Sequence, residues 1–192
     1  MKNNENEAFL GSFFAGFIIA LIPIYTFWFG TLQNPFDYTL SMIGNRFDKM
    51  NEFIIWGTVS GLLLFLYIIN LFREAAFQDK RARRMLVYST IFLVLTVITP
   101  AVEEINSVTH RLHAVFGALF GIFLSASLYF FIRYLKTVDE DVFGRSMIYL
   151  NIVILGSLSL LIVFGNNGIF ELFFFLALSF FLWILKRWIY QL

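Results

Sequence analysis

The chain has only two histidines, His110 and His113, and they stand three residues apart. On a helix this spacing puts both imidazoles on one face. Two neutral imidazoles can ligate a divalent metal such as zinc, with carboxylates completing the shell. Glu103, Glu104, Asp48 and Glu171 are the acidic residues on hand. A metal held by His110 and His113 would polarise an ester or amide carbonyl and acidify its bound water. Glu103 or Glu104 would then serve as general base. Ser41 is the candidate nucleophile, although no base is adjacent to it in sequence and a histidine would reach it only through the fold. A simpler reading uses the same residues without chemistry. The histidines hydrogen-bond loop carbonyls or pair with the glutamates, and Glu103 and Glu104 form a solvated helix end. Arg46, Glu104, His110, His113 and Glu171 are then a ligand-binding set, in which Arg46 can clamp a phosphate or carboxylate. If Gly168 is an N-cap, Glu171 falls at the third helical position, where a carboxylate favours the helix dipole.

The elements that must position these residues are apolar. Of 192 residues, 59% are hydrophobic and 20% aromatic, while 14% are charged. A soluble domain carries nearer a quarter charged residues. Several runs approach about 20 apolar residues, the length that crosses a bilayer's hydrocarbon core. The expected fold is therefore all-α: a polytopic membrane bundle of six transmembrane helices at about 8–29, 51–72, 85–102, 109–135, 146–164 and 169–188. It forms one transmembrane domain. The apolar run after the N-terminal MKNNENEAF is too long for a signal-peptide core, which predicts a retained first helix. There are 14 Lys and Arg against 13 Asp and Glu, so no bulk charge points to nucleic acid. Cysteine is absent, which excludes disulfides, thiolate nucleophiles and Cys-ligated metals.

Short-loop cations set the expected orientation. Lys2, Arg73, Lys80, Arg81, Arg83, Arg84, Arg133, Lys136, Arg145, Lys186 and Arg187 fall on one side of a six-span chain. Arg46, Lys49 and Arg111 fall on the other. Eleven against three predicts a cell-membrane protein with both termini cytoplasmic. The polar residues that topology leaves unexplained then fall mostly outside: Asp37, Ser41, Asn45, Arg46 and Asp48; Glu103, Glu104, Asn106, His110 and Arg111; and Asn166 and Asn167. The segment 36–50 mixes polar and apolar residues too evenly to span. It predicts a short interfacial helix closed by Gly44, with Asp48 as N-cap of the next helix. Gly117 and Gly121 continue the histidine face and predict close packing there, as do Gly57 and Gly61 on the second span. Trp28, Trp56, Trp183 and Trp188 lie toward helix ends and read as interfacial anchors. The cluster Lys80 to Arg84 can meet anionic lipid, although topology alone accounts for it. Glycine or Phe-rich faces (26 Phe) offer surfaces for lipid or for homo-oligomers.

Two pieces of the chain resemble a family of uncharacterised six-helix bacterial and archaeal membrane proteins. One is Tyr38-Thr39-Leu40-Ser41-Met42-Ile43-Gly44, similar to that family's extracytoplasmic S-x-x-G element. The other is Pro100 followed by His110. The likeness covers most of the chain in layout and about a dozen residues in identity. It implies a distant relation to the alkaline ceramidases, the progestin and adipoQ receptors and the Per1 lipid-remodelling proteins. That superfamily resembles zinc-dependent membrane hydrolases that use a serine, an aspartate and three histidines. Ser41, His110 and His113 match in type. A third histidine and a mid-helix aspartate are missing, so a three-histidine zinc site cannot exist in this chain. The expected function is an outward-facing polar pocket that binds a lipid, a small ligand or a partner. The alternative is a metal-dependent hydrolase of an outer-leaflet lipid ester or amide. A transporter ranks third, because no Lys, Arg, Asp or Glu lies mid-helix.

Overall fold

The computed structural model describes residues 2–101 and 108–191, with side chains from residue 16 onward. Glu103 and Glu104 lie outside the described residues. Seven helices and no strands are found among the described residues. They are α1 (Lys2–Gly30), α2 (Leu40–Arg46), α3 (Met50–Glu74), α4 (Lys80–Ile98), α5 (Val108–Leu135), α6 (Glu140–Phe164) and α7 (Gly168–Ile189). Helices α3, α5, α6 and α7 are each long and apolar enough to cross a membrane. In α1 the apolar stretch with described side chains is Gly16–Gly30. Helix α4 opens with Lys80, Arg81, Arg83 and Arg84, which confines its apolar part to residues 85–98.

The long helices close a ring. Helix α1 packs on α3 and α7, α3 on α4, α4 on α5, α5 on α6, and α6 on α7, while α2 lies against α3. Across the middle, Tyr67 Oη donates to the Leu182 carbonyl at 3.3 Å. The outer surface is greasy: Ile24, Ile122, Ile162 and Val163 are all more than 60% exposed. A soluble monomer would not carry such a girdle. In hydrocarbon it costs nothing, and helix association falls to packing and to internal hydrogen bonds. The fold is thus compatible with a multi-pass membrane protein.

The packing separates the two glycine pairs. A Cβ on Gly57 would collide with Val97 Cγ1, and one on Gly61 would meet Leu93 Cδ2 at 3.0 Å. This pair lets α3 and α4 approach closely, as expected. The α5 pair does not act this way. A Cβ on Gly117 would sit 3.7 Å from Thr96, an ordinary contact, and one on Gly121 would meet nothing within 4 Å. Trp56 is not an interfacial anchor either. It is 3% exposed, its Nε1 donates to Thr26 Oγ1 at 3.0 Å, and it stacks on Phe29 and Phe53. Its indole N–H found a buried partner, which periodicity alone cannot reveal.

Helix ends follow local chemistry. Helix α4 stops before Pro100, which pushes Thr99 to an extended backbone, φ −89° and ψ 114°. Asp79 caps its start by accepting from the Arg81 and Ala82 amides at 2.6 and 3.3 Å. Helix α3 ends with the Phe77 amide donating to Phe72 O at 2.8 Å and the Ala76 amide to Arg73 O at 3.0 Å. That pairing puts Ala76 in the left-handed region, φ 52°. The rings of Phe77 and Phe72 close the motif at 4.9 Å.

Candidate ligand site at the α2–α7 end

One end of the ring gathers residues 31–50, the α4 terminus, the α5 start and the α6–α7 turn. The turn is built by Gly165, φ 75°, and by Asn167, whose side chain accepts from the Ile169 amide at 3.1 Å. Asn167, not Gly168, is therefore the α7 N-cap, and Glu171 lies one position deeper than the expected third. A Cβ at Gly168 would run into the Pro35 and Tyr38 carbonyls, so this position must be glycine for the loop to dock. Docking is completed by Ile169 N–H to Pro35 O at 3.1 Å and by Asn167 Nδ2 to Phe36 O at 3.3 Å.

Helix α2 forms as expected, but Gly44 does not close it. Gly44 lies within the helix, where a Cβ would stand 2.7 Å from Phe53 Cβ. The chain turns at Asp48 instead, φ 54°, with the Lys49 amide returning to Gly44 O at 3.2 Å. Asp48 thus ends α2 and does not cap α3, whose N-cap Lys49 makes no side-chain cap bond. Asp tolerates the left-handed region better than most residues.

The start of α2 carries the polar cluster. Thr39 Oγ1 accepts from the Met42 amide at 3.0 Å and lies 2.9 Å from Ser41 Oγ. Ser41 is buried, 6% exposed. Asn45 Nδ2 donates to Ser41 O at 2.7 Å. From α7, Glu171 Oε2 accepts from the Leu40 amide at 2.7 Å. Glu171 is partly buried, and among the described residues no cation pairs with it. One carboxylate oxygen is thus tied to the α2 amide. The group keeps acceptor capacity for an ammonium, hydroxyl or amide donor.

The histidines face the α4 end. His113 is half-buried, and its Nδ1 lies 2.8 Å from Thr99 O, on the extended residue that caps α4. A carbonyl only accepts, so Nδ1 carries the proton, and Nε2 is the acceptor nitrogen of a ring that is neutral. The bond satisfies one of the carbonyls that a helix end leaves orphaned. His110 is half-buried one turn earlier. Neither His110 nor Arg46, in the last turn of α2, is a free group. Among the described residues no three His, Asp or Glu side chains gather in a metal-holding group. Asp48 and Glu171 therefore do not join His110 and His113 in a shell. The sequence places Asn167 only among the outward polar residues, and its amide before glycine is a readable capping signal; Thr39, a hydroxyl before L-S-M, carries a similar signal that the sequence reading does not use. No family model, curated protein or solved structure matches the chain.

Proposed function

We propose that the protein is a six-span membrane protein, both termini cytoplasmic, that binds a small ligand or lipid headgroup at its outer polar end. The observation that carries this reading is the Glu171 carboxylate, partly buried on a helix apolar enough to span, bonded to one amide and, among the described residues, to no cation. Ionisable groups in membrane bundles are costly, and function is the usual reason they persist. The cluster of Thr39, Ser41 and Asn45 beside it supplies hydroxyl and amide groups. A ligand carrying an ammonium or hydroxyl donor suits such a site. The orientation rests on the cation count, with eleven Lys and Arg placed against three.

The opposite half of the ring argues against transport. Phe72, Phe131, Phe181, Leu182 and Leu185 are fully buried there. Phe72, Phe77 and Phe131 pack with centroids 4.8 to 5.2 Å apart. This apolar plug offers no polar path for an ion or solute.

The test is mass spectrometry of molecules that co-purify with wild type and with Glu171→Gln. Glutamine keeps an acceptor for the Leu40 amide but loses the charge. A bound small molecule or lipid lost selectively from the variant supports the reading, and identical bound species in both contradict it.

One observation favours a metal-hydrolase reading as second choice. A histidine whose Nδ1–H is fixed by a carbonyl presents Nε2 in the way metal ligands commonly do. Elemental analysis of wild type against His110→Ala/His113→Ala tests it. Stoichiometric zinc lost in the double variant is the supporting result, and metal-free wild type the opposing one.

A further inference from the structure

A second feature lies at the other end of the ring, between the α3–α4 turn and the last turns of α5. A cavity of about 740 Å³ opens there, with Phe77, Asp79, Arg81, Phe130, Arg133 and Tyr134 in its wall. Two guanidinium groups come from different helices, Arg81 from α4 and Arg133 from α5. The Arg81 guanidinium lies 5.3 Å from the Phe130 ring centroid, and Arg133 lies 6.0 Å from that of Tyr129. Asp79 is the one carboxylate in the wall. It is committed to capping α4 and to Arg81 Nη2 at 3.1 Å. Arg133 has no carboxylate partner among the described residues. Tyr134 spends its hydroxyl on Ala75 O at 3.0 Å.

Below the cavity the wall turns apolar. Tyr88 lies two turns after Arg81 on the same face of α4, and Phe123 two turns before Phe130 on α5. Their rings meet with centroids 5.6 Å apart, and Phe92 stacks on Phe123 at 5.4 Å. Tyr88 and Ile91 are 45% and 47% exposed. Cations at the helix ends thus stand directly above an aromatic track running toward the bundle middle. A free phosphate would use the first part only. An anionic phospholipid uses both.

We propose that this α4–α5 cavity is a binding site for an anionic phospholipid. Its phosphate lies between Arg81 and Arg133, and its acyl chain runs along Phe130, Phe123 and Tyr88. The site is separate from the Glu171 end and does not depend on it. Guanidinium matches phosphate by paired donors, and each cation near an anionic headgroup strengthens binding about fivefold.

Native mass spectrometry tests this on the full chain, loaded with phosphatidylglycerol or phosphatidylcholine. The wild type retains phosphatidylglycerol selectively. Arg133→Gln weakens that retention about fivefold, and Arg81→Gln/Arg133→Gln removes the selectivity. Arg145→Gln, a cation of the same end that lies over Trp188 at 4.9 Å outside the cavity, leaves it unchanged. Arg133 is exposed and makes no ion pair among the described residues, so its single variant reads binding even if the double variant does not fold. Three results would overturn the proposal. They are undiminished retention by Arg133→Gln, an equal loss in Arg145→Gln, and full displacement of the lipid by millimolar inorganic phosphate.

Discussion

Glu171 and Ser179 show how differently two polar groups, one partly and one fully buried, can be placed on one helix. Glu171 holds α2 through a single amide. Glu171→Ala should release α2 and make residues 31–50 more sensitive to protease, whereas Glu171→Gln should leave them protected. Ser179 is 3% exposed, and among the described residues its hydroxyl has no partner. Four other serines buried in the long helices, Ser89, Ser127, Ser146 and Ser157, bond carbonyls at 2.6 to 2.8 Å. An unsatisfied buried hydroxyl costs about 1–3 kcal/mol. Ser179→Ala should therefore raise the thermal midpoint in detergent, while Ser127→Ala, which deletes the bond to Ala82 O, should lower it. At this scale the sequence was partly legible. Residue types pointed to Ser41, Glu171 and the histidines. Partners such as Leu40, Thr99 and Thr26 could not be read, because these bonds join residues 14 to 131 positions apart.

Among the elements, helix ends and helix–helix faces carry the testable energetics. Ala76 stands in a left-handed conformation that costs a non-glycine residue about 1 kcal/mol. Ala76→Gly should stabilise by about that amount in an unfolding titration. Asp79→Ala should destabilise by about 1 kcal/mol through loss of its cap. The Arg81 guanidinium holds the Asp79 carboxyl below the usual carboxylate range, and the Arg81 and Ala82 amides add to this. With the folded value below the unfolded one, the Asp79 contribution is fully present above about pH 4. It fades as pH falls through the folded value. The stability gap between wild type and Asp79→Ala should therefore narrow on acidification below pH 4 and stay constant above it. Gly57→Val should cost about 1–3 kcal/mol against Val97, while Gly121→Ala should be neutral. The two G-x-x-x-G pairs look alike in sequence. They differ because α4 crosses α3 at Gly57 and Gly61, and nothing crosses α5 at Gly121. The expected spans matched α3, α5 and α7 to within two residues. Helix α6 starts earlier than expected because Asp139 caps it, accepting from the Val142 amide at 2.7 Å. Helix α4 starts earlier because Asp79 recruits the cationic cluster into its first turn.

For the whole molecule, apolar length made the class legible, and alternating loop charge suggested the sidedness. The ring order could not be read, since it depends on which faces meet across the bundle. The ring has two unlike ends. One holds Glu171, the α2 cluster and the histidines. The other holds the aromatic plug and the arginine-lined cavity. The proposed ligand site at the Glu171 end depends on six crossings that put that end outside. The chain has no cysteine, so any introduced thiol reports alone. Exposed Thr31, next to Gly30 at the Glu171 end, and exposed Thr137, in the α5–α6 loop at the other, are suitable positions. The deciding measurement is labelling of Thr31→Cys and Thr137→Cys in intact cells with a membrane-impermeant maleimide. The account requires Thr31→Cys to label in intact cells and Thr137→Cys to label only after lysis. The reverse pattern, or labelling of both in intact cells, would contradict it.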